Sequence, residues 1–401
     1  MRILGMILAG GRGDRLFPLT KARSKPAVPF AGKHRIVDFV LSNFINSAVY
    51  AVYVLVQYKS QSLIEHLRST WRWRIGGLKD TFITVVPPQM RLGENWYQGT
   101  ADAVYQNLNV IRDFRPDLIA VFGADHIYRM DLDQMVTFHV ENRADATVAA
   151  LPVPVAAASG FGVIEVDSSQ RIIGFEEKPK NPKPMPNDPA HAYSSMGNYL
   201  FETGLLVRTL LEDSRRSTEH DFGRTIIPEL FPRHRVCAYN FMRNEVPGVK
   251  PYEEQGYWRD VGTLHAYWQA HMDLLGSTPA FDLQNSQWPI FGEVHDGPPS
   301  RLVEGEVRDV LIGEGCQIEG GRVVRSVLGR GVRVGKDAEI QESVVMDYTE
   351  IGAGAKLKHV IVDRFNVIPA GTEIGVGSGS EEKHFFHDPS GLIVLERAEP
   401  R

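Results

Sequence analysis

From Ile3 to about His271, apolar runs alternate with amphipathic stretches. Residues 3–9, 51–57, 83–86, 118–123 and 146–151 are continuous apolar runs and predict buried strands. Between them, 61–69, 100–113 and 131–143 carry helical spacing. This alternation predicts an α/β unit, a mostly parallel sheet with helices on both faces. Shorter strands are expected at 163–166 and 172–176, and the Pro-rich stretch 178–189 as a surface loop.

Residues 276–305 break the rhythm. Pro279, Pro289, Pro298 and Pro299 fall in a stretch of little helical period, which predicts a linker between a first domain, 1–275, and a second, 306–401. Beyond it the period becomes six. Ile312, Ile318 and Val324 are so spaced, as are Leu328, Val334, Ile340 and Met346, then Val345, Ile351 and Leu357, then Val362, Ile368 and Ile374. Glycine often follows the apolar position, as at Gly313, Gly329, Gly335, Gly352 and Gly375. One inward aliphatic per flat side, with small residues at the corners, describes a parallel β-helix of hexapeptide repeats. A β-sandwich would instead alternate with period two.

Composition narrows the function classes. The chain has 401 residues, long enough for two domains, with 43% hydrophobic and 23% charged residues, as in soluble globular proteins. A net charge of -5 without a Lys/Arg run argues against nucleic acid as a partner. Cys237 and Cys316 are the only cysteines and lie far apart, which fits a reducing cytoplasm rather than a disulfide scaffold. The apolar start is too short for a signal peptide or membrane span and reads as the first strand.

The chemistry begins at that strand's end, in Leu8-Ala9-Gly10-Gly11-Arg12-Gly13-Asp14-Arg15-Leu16. A glycine-rich loop lets backbone N–H groups approach triphosphate oxygens, and Arg15 adds a fixed cation. The spacing is neither the G-x-G-x-x-G of a dinucleotide fold nor a P-loop, since no Gly-Lys-Ser/Thr follows. Lys25, in Ser24-Lys25-Pro26, stands before a rigid turn from which it could reach the same phosphates. Asp125 follows the run 118–123, at the carboxyl end of a predicted parallel strand, where such sheets bind ligands. Phosphate-bound Mg2+ wants one or two protein carboxylates, which a carboxylate so placed could supply.

The glycine loop followed by Lys25-Pro26 resembles the signature of the sugar-nucleotide pyrophosphorylases. Further blocks are Arg35–Phe39, Gln57–Ser60, Asn95–Ala103, Gly123–Tyr128, Glu177–Pro179, Ser195–Tyr199, His220–Gly223 and Tyr257–Thr263. They resemble, in order, the bacterial-type glucose-1-phosphate adenylyltransferases, from Ile3 to about Ile374. The resemblance implies a Rossmann-like nucleotidyltransferase domain followed by a left-handed β-helix. It implies that ATP and α-D-glucose 1-phosphate give ADP-glucose and pyrophosphate, with Mg2+ as cofactor. Arg15, Lys25 and Asp125 become catalytic, and Asp125 and Asp260 metal-associated. Leu8, Ala9, Gly10, Gly11, Gln89, Gly99 and Thr100 line the nucleotide side. Tyr97, Gly162, Glu177, Lys178, Ser195, Tyr199, Asp221, Phe222 and Trp258 line the substrate pocket, Lys178 on the sugar phosphate.

Gln57, Trp96 and Arg35 correspond to positions that couple regulation to the site, and the resemblance extends to a homotetramer and to sugar-phosphate or nucleotide effectors. Three positions depart from the family pattern: Met90 replaces a second glutamine beside Gln89, Ala22 stands where a basic residue is common, and so does Pro29. Two rivals come from other classes. A non-catalytic regulatory subunit would have lost Arg15, Lys25 or Asp125, and all three are present. A β-helix acyltransferase would need a catalytic histidine in the repeats, and His359 is the one candidate well inside them, without an evident partner.

Overall fold

The computed structural model describes residues 1–71, 80–89, 96–185, 188–294, 296–377 and 384–399. Four parallel strands form one half of the main sheet, in the order Leu118–Gly123, Ile3–Ala9, Ala51–Val56, Phe82–Val86. The other half turns antiparallel through His191–Glu202, which pairs with Leu118–Gly123 and continues to Gly162–Val166 and Ile172–Glu177. Ala146–Pro154 flanks the same long strand and carries Val236–Asn240 parallel to it. The parallel half follows the apolar runs. His191–Glu202 escaped the sequence reading because Ser194, Ser195 and Asn198 sit buried in its middle and blur any period.

The helix expected over 100–113 is two helices, Thr100–Tyr105 and Leu108–Phe114. They part at Asn107, which is buried and whose amide donates to the Tyr97 hydroxyl and to the Ala103 carbonyl. Helix Ile36–Asn46, also unforeseen, is buried on nearly every face, so its sequence shows no amphipathic stripe.

The segment expected as a linker is packed. Phe281 and Ile290 enter a core that also takes Phe30, Phe39 and Tyr267 from the first part of the chain and Val327, Val344, Met346 and Ile361 from the repeats. Strand begins at Arg301, before the expected boundary. From there parallel coils stack: Gln317 pairs with Arg333, Arg333 with Glu350, and Glu350 with Val367. A circuit is thus 16 or 17 residues, short of three full hexapeptides. The missing residue falls at corners and shifts two expected inward positions. Val323 points into the coil in place of Val324, and Val345 points in as expected, whereas Met346 turns outward onto the shared core. Ile318, Leu328, Val334, Ile340, Ile351, Leu357, Val362, Ile368 and Ile374 fill the coil interior. His359 packs edge-on against Trp268, 4.5 Å between ring centroids, at the junction of the two parts. Among the described residues, no helix is long and apolar enough to cross a membrane.

Candidate active site

A cleft of about 690 Å3 opens above the carboxyl ends of the parallel strands, within the range of small-ligand sites. The first strand ends in it. Gly10 and Gly11 line its wall, and a side chain at Gly11 would meet no atom within 4 Å, so the backbone there faces open space. Gly13 turns the loop at φ 70° and packs on Lys25, whose Cβ would lie 2.9 Å from an added methyl. That close approach sets the glycine loop against the turn Lys25–Ala27.

Lys25 is buried, and its ammonium donates to Asp125 Oδ2 at 2.9 Å and to Asp260 Oδ1 at 2.8 Å. Burial disfavours the charged lysine, but Asp125 and then Asp260 outweigh it, and the net shift is upward. Burial likewise pushes Asp125 up, but the Lys25 charge, the neighbouring His126 and the hydrogen bond from Lys25 together more than reverse it, holding the carboxyl well below the usual carboxylate range. Arg15 stands at the mouth, 70% exposed, 3.9 Å from Asp260. Asp260 closes a short strand, Trp258–Asp260, whose antiparallel partner is His126–Tyr128, so Asp260 stands opposite His126. Asp125, His126 and Asp260 offer ligand atoms all within 4.8 Å of one another.

The far wall is built by a break in the long strand. Its ladder shifts register between Ser195 and Tyr199, where Gly197 takes φ 70°, and such bulges re-aim side chains. Tyr199 stacks on Phe222, 5.5 Å between centroids, and burial, then Asp221, raises its pKa. Glu177 is seated between two glycines, since a Cβ on Gly162 or Gly223 would come to 2.7 or 2.9 Å from Glu177 Oε2. Lys178 follows with φ 52°, its N–H bonded to the Phe161 carbonyl and its ammonium 3.2 Å from Glu177. Trp258 lies 4.8 Å from the His126 ring and 5.3 Å from Phe161. Among the described residues, Trp258 Nε1 and His126 Nδ1 are buried without a hydrogen-bond partner.

The cleft thus gathers Leu8, Ala9, Gly10, Gly11, Arg15, Lys25, Gln57, Tyr97, Gly99, Thr100, Asp125, Gly162, Glu177, Lys178, Ser195, Tyr199, Asp221, Phe222, Trp258 and Asp260. Gln57 bonds both backbone groups of Tyr97. Three expected residues lie off this lining. Gln89 is exposed and donates to the Pro87 carbonyl, Trp96 is exposed, and Arg35 donates to the Ala27 carbonyl behind the Lys25 turn. Burial, then the Arg364 and Arg23 charges, lower Arg35 to about 10. Met90 lies outside the described residues. His126, Gly197 and Gly223 also line the cleft, each inside a motif block that marks other residues. Phe161 lay outside every block.

The chain matches the nucleotidyl transferase family over residues 4–277 and the GlmU-like C-terminal hexapeptide family over 298–395. It is 51% identical over 398 residues to a glucose-1-phosphate adenylyltransferase of Thermodesulfovibrio yellowstonii, covering 99% of this chain and 96% of the relative. A glucose-1-phosphate adenylyltransferase of Anaeromyxobacter sp. is 49% identical over 407 residues, covering 99% and 98%. Glucose-1-phosphate adenylyltransferase 1 of Vibrio parahaemolyticus is 47% identical over 401 residues, covering 98% of both.

Proposed function

The chain belongs to the glucose-1-phosphate adenylyltransferase family, and from that premise we propose how its cleft joins ATP to α-D-glucose 1-phosphate, giving ADP-glucose and pyrophosphate. The observation that carries the reading is the buried Lys25 held between Asp125 and Asp260 beside a glycine loop.

A phosphate oxygen of the sugar phosphate attacks the α-phosphorus of ATP. The bond from that phosphorus to the bridging oxygen breaks, and its electron pair leaves with pyrophosphate. The nucleophile is already an anion, so no side chain has to take a proton or form a covalent intermediate. The barrier is charge repulsion and orientation, and the chain's task is positioning with electrostatic stabilisation. Gly10 and Gly11 present backbone N–H groups to the triphosphate. Lys25 and Arg15 offset the charge growing on the departing pyrophosphate. Lys178 holds the attacking phosphate. Glu177, Ser195, Tyr199, Asp221 and Trp258 surround the sugar.

Two carboxylates that already share one cation, beside a phosphate-binding loop, fit Mg2+, which takes few protein ligands and completes its shell with phosphate and water. Asp125 and Asp260 would hold it, and when bound it supplies charge neutralisation at the phosphates. The same premise carries a homotetramer, sugar-phosphate or nucleotide effectors acting through Gln57, Trp96 and Arg35, a cytoplasmic setting, and a product that feeds glycogen or a related α-glucan.

The test is product identification by mass spectrometry after incubation with ATP, glucose 1-phosphate and Mg2+. ADP-glucose with equimolar pyrophosphate, abolished by EDTA, is expected. Absence of any sugar nucleotide would refute the reading and favour a regulatory subunit.

A further inference from the structure

His220, which opens the block His220-Asp221-Phe222-Gly223, has no part in the mechanism above and does not line the cleft. His220 adopts φ 48°, a left-handed conformation that is uncommon outside glycine. Its ring Nδ1 lies 2.7 Å from Asp213 Oδ2, and both side chains are nearly buried, 13% and 3% exposed. Thr218 fixes the other Asp213 oxygen at 2.7 Å and accepts the His220 N–H at 3.1 Å. The turn is therefore held from below, at the end of helix Thr203–Asp213, away from the cleft.

The carbonyl of this turned residue reaches the other wall. It accepts the Ala101 N–H at 2.8 Å and the Asp102 N–H at 3.2 Å, in the first turn of Thr100–Tyr105. Alongside, the Thr100 hydroxyl donates to Asp221 Oδ2 at 2.9 Å and accepts the Phe222 N–H at 3.0 Å. The fit leaves no slack, since a Cβ on Gly99 would come to 2.3 Å from the His220 carbonyl oxygen and 2.4 Å from that of Glu219. Gly99 and Thr100 lie on the nucleotide side and Asp221 and Phe222 on the sugar side. We propose that His220, anchored by Asp213, is a positioning residue that clasps the two walls together and so fixes the separation of the two substrates. The assignment of the walls rests on the function proposed above. In-line attack makes that separation matter, because a misplacement of about 1 Å can cost about a hundredfold in rate.

The experiment is equilibrium binding of two separate probes, glucose 1-phosphate and α,β-methylene-ATP, to the full-length protein and its variants, with the thermal midpoint recorded beside. His220→Ala removes the bond to Asp213 and leaves a strained turn. Both dissociation constants should rise about tenfold, the size of one lost charge-assisted hydrogen bond. His220→Asn keeps a donor near the same place and tolerates the left-handed backbone, so both constants should return to within about threefold of the parent. Gly99→Ala pushes against the His220 and Glu219 carbonyls from the opposite wall and should weaken both ligands while the His220 side chain and its bond to Asp213 are unaltered. A change in only one constant, or a lowered thermal midpoint with both constants intact, would overturn the clasp. Should His220→Ala fail to fold, Gly99→Ala and His220→Asn decide alone. If the unaltered protein bound both probes but made no ADP-glucose, the function would fall and the clasp would stand. If it bound neither, both would fall.

Discussion

In the coil stack, Ile318, Val334, Ile351 and Ile368 stand above one another because each repeats the same local instruction to its neighbour one circuit away. In the cleft, Lys25 meets Asp125 across 100 residues of chain and Asp260 across 235. The stack is stabilised by many equivalent aliphatic contacts, so its cost is spread and its parts are replaceable in kind. The cleft gathers opposed charges around one buried lysine, tolerable there because two carboxylates hold it, so that either one still pairs it when the other is lost. One region turns period into shape, and the other turns shape into a local electric field. A change in the first should therefore appear as stability, and a change in the second as rate.

Asp125→Asn puts the largest strain on this distinction. It removes a charge from the transition-state site, and kcat should fall by about 10^3, or about 4 kcal/mol, with the thermal midpoint little changed. Equal losses of rate and midpoint would erase the contrast. Leu357→Ala asks the converse, for its side chain is buried in the coil interior. Denaturant titration should show a loss of about 3 kcal/mol, while KM for both substrates stays at the parent value.

His271 sits between the two regions, and pH probes it. Burial lowers its pKa to about 4, and the neutral ring accepts the Ala31 N–H and bonds the Tyr267 carbonyl. Near neutral pH it makes no difference. As pH falls below about 6.5, the unfolded chain takes up a proton that the fold refuses, so stability declines progressively toward pH 4, by about 3 kcal/mol in all. Urea midpoints at pH 7 and pH 5 should differ more for the parent than for His271→Gln, and identical slopes would contradict the assignment. The smallest effect is expected at Lys178→Ala, which should raise KM for glucose 1-phosphate about tenfold and leave KM for ATP unchanged. An unchanged sugar-phosphate KM would remove Lys178 from that role.

Legibility followed the same divide. The period of six marks out the stack, and the two positions it misplaces, Val324 and Met346, follow corners that skip a residue; Val323 takes the inward place in the first case, and in the second Val345, also expected there, keeps it. Three of the four parallel strands are equally plain, because burial on both faces leaves continuous apolar runs, while the edge strand Phe82–Val86 keeps an apolar pattern with Thr84 exposed. The antiparallel wall is not. His191–Glu202 carries polar residues inside, Ser195 lining the cleft and Asn198 donating to the Tyr128 hydroxyl, and the hydrophobic pattern has no word for that. Nor could spacing reveal that Gly162 and Gly223 make room for Glu177, or that the packed segment after Leu275 joins both parts into one core. Blocks of motif located the charged residues. Their meeting at a shared cation is a property of the fold alone.

The most direct test of the cleft's chemistry is pyrophosphate release by the purified protein with Mg2+ and glucose 1-phosphate, comparing ATP with UTP, dTTP and GTP. Release with ATP far above the other three is the expected result. Equal or greater release with another nucleotide would contradict the adenylyl assignment, and no release with any of the four would contradict catalysis itself.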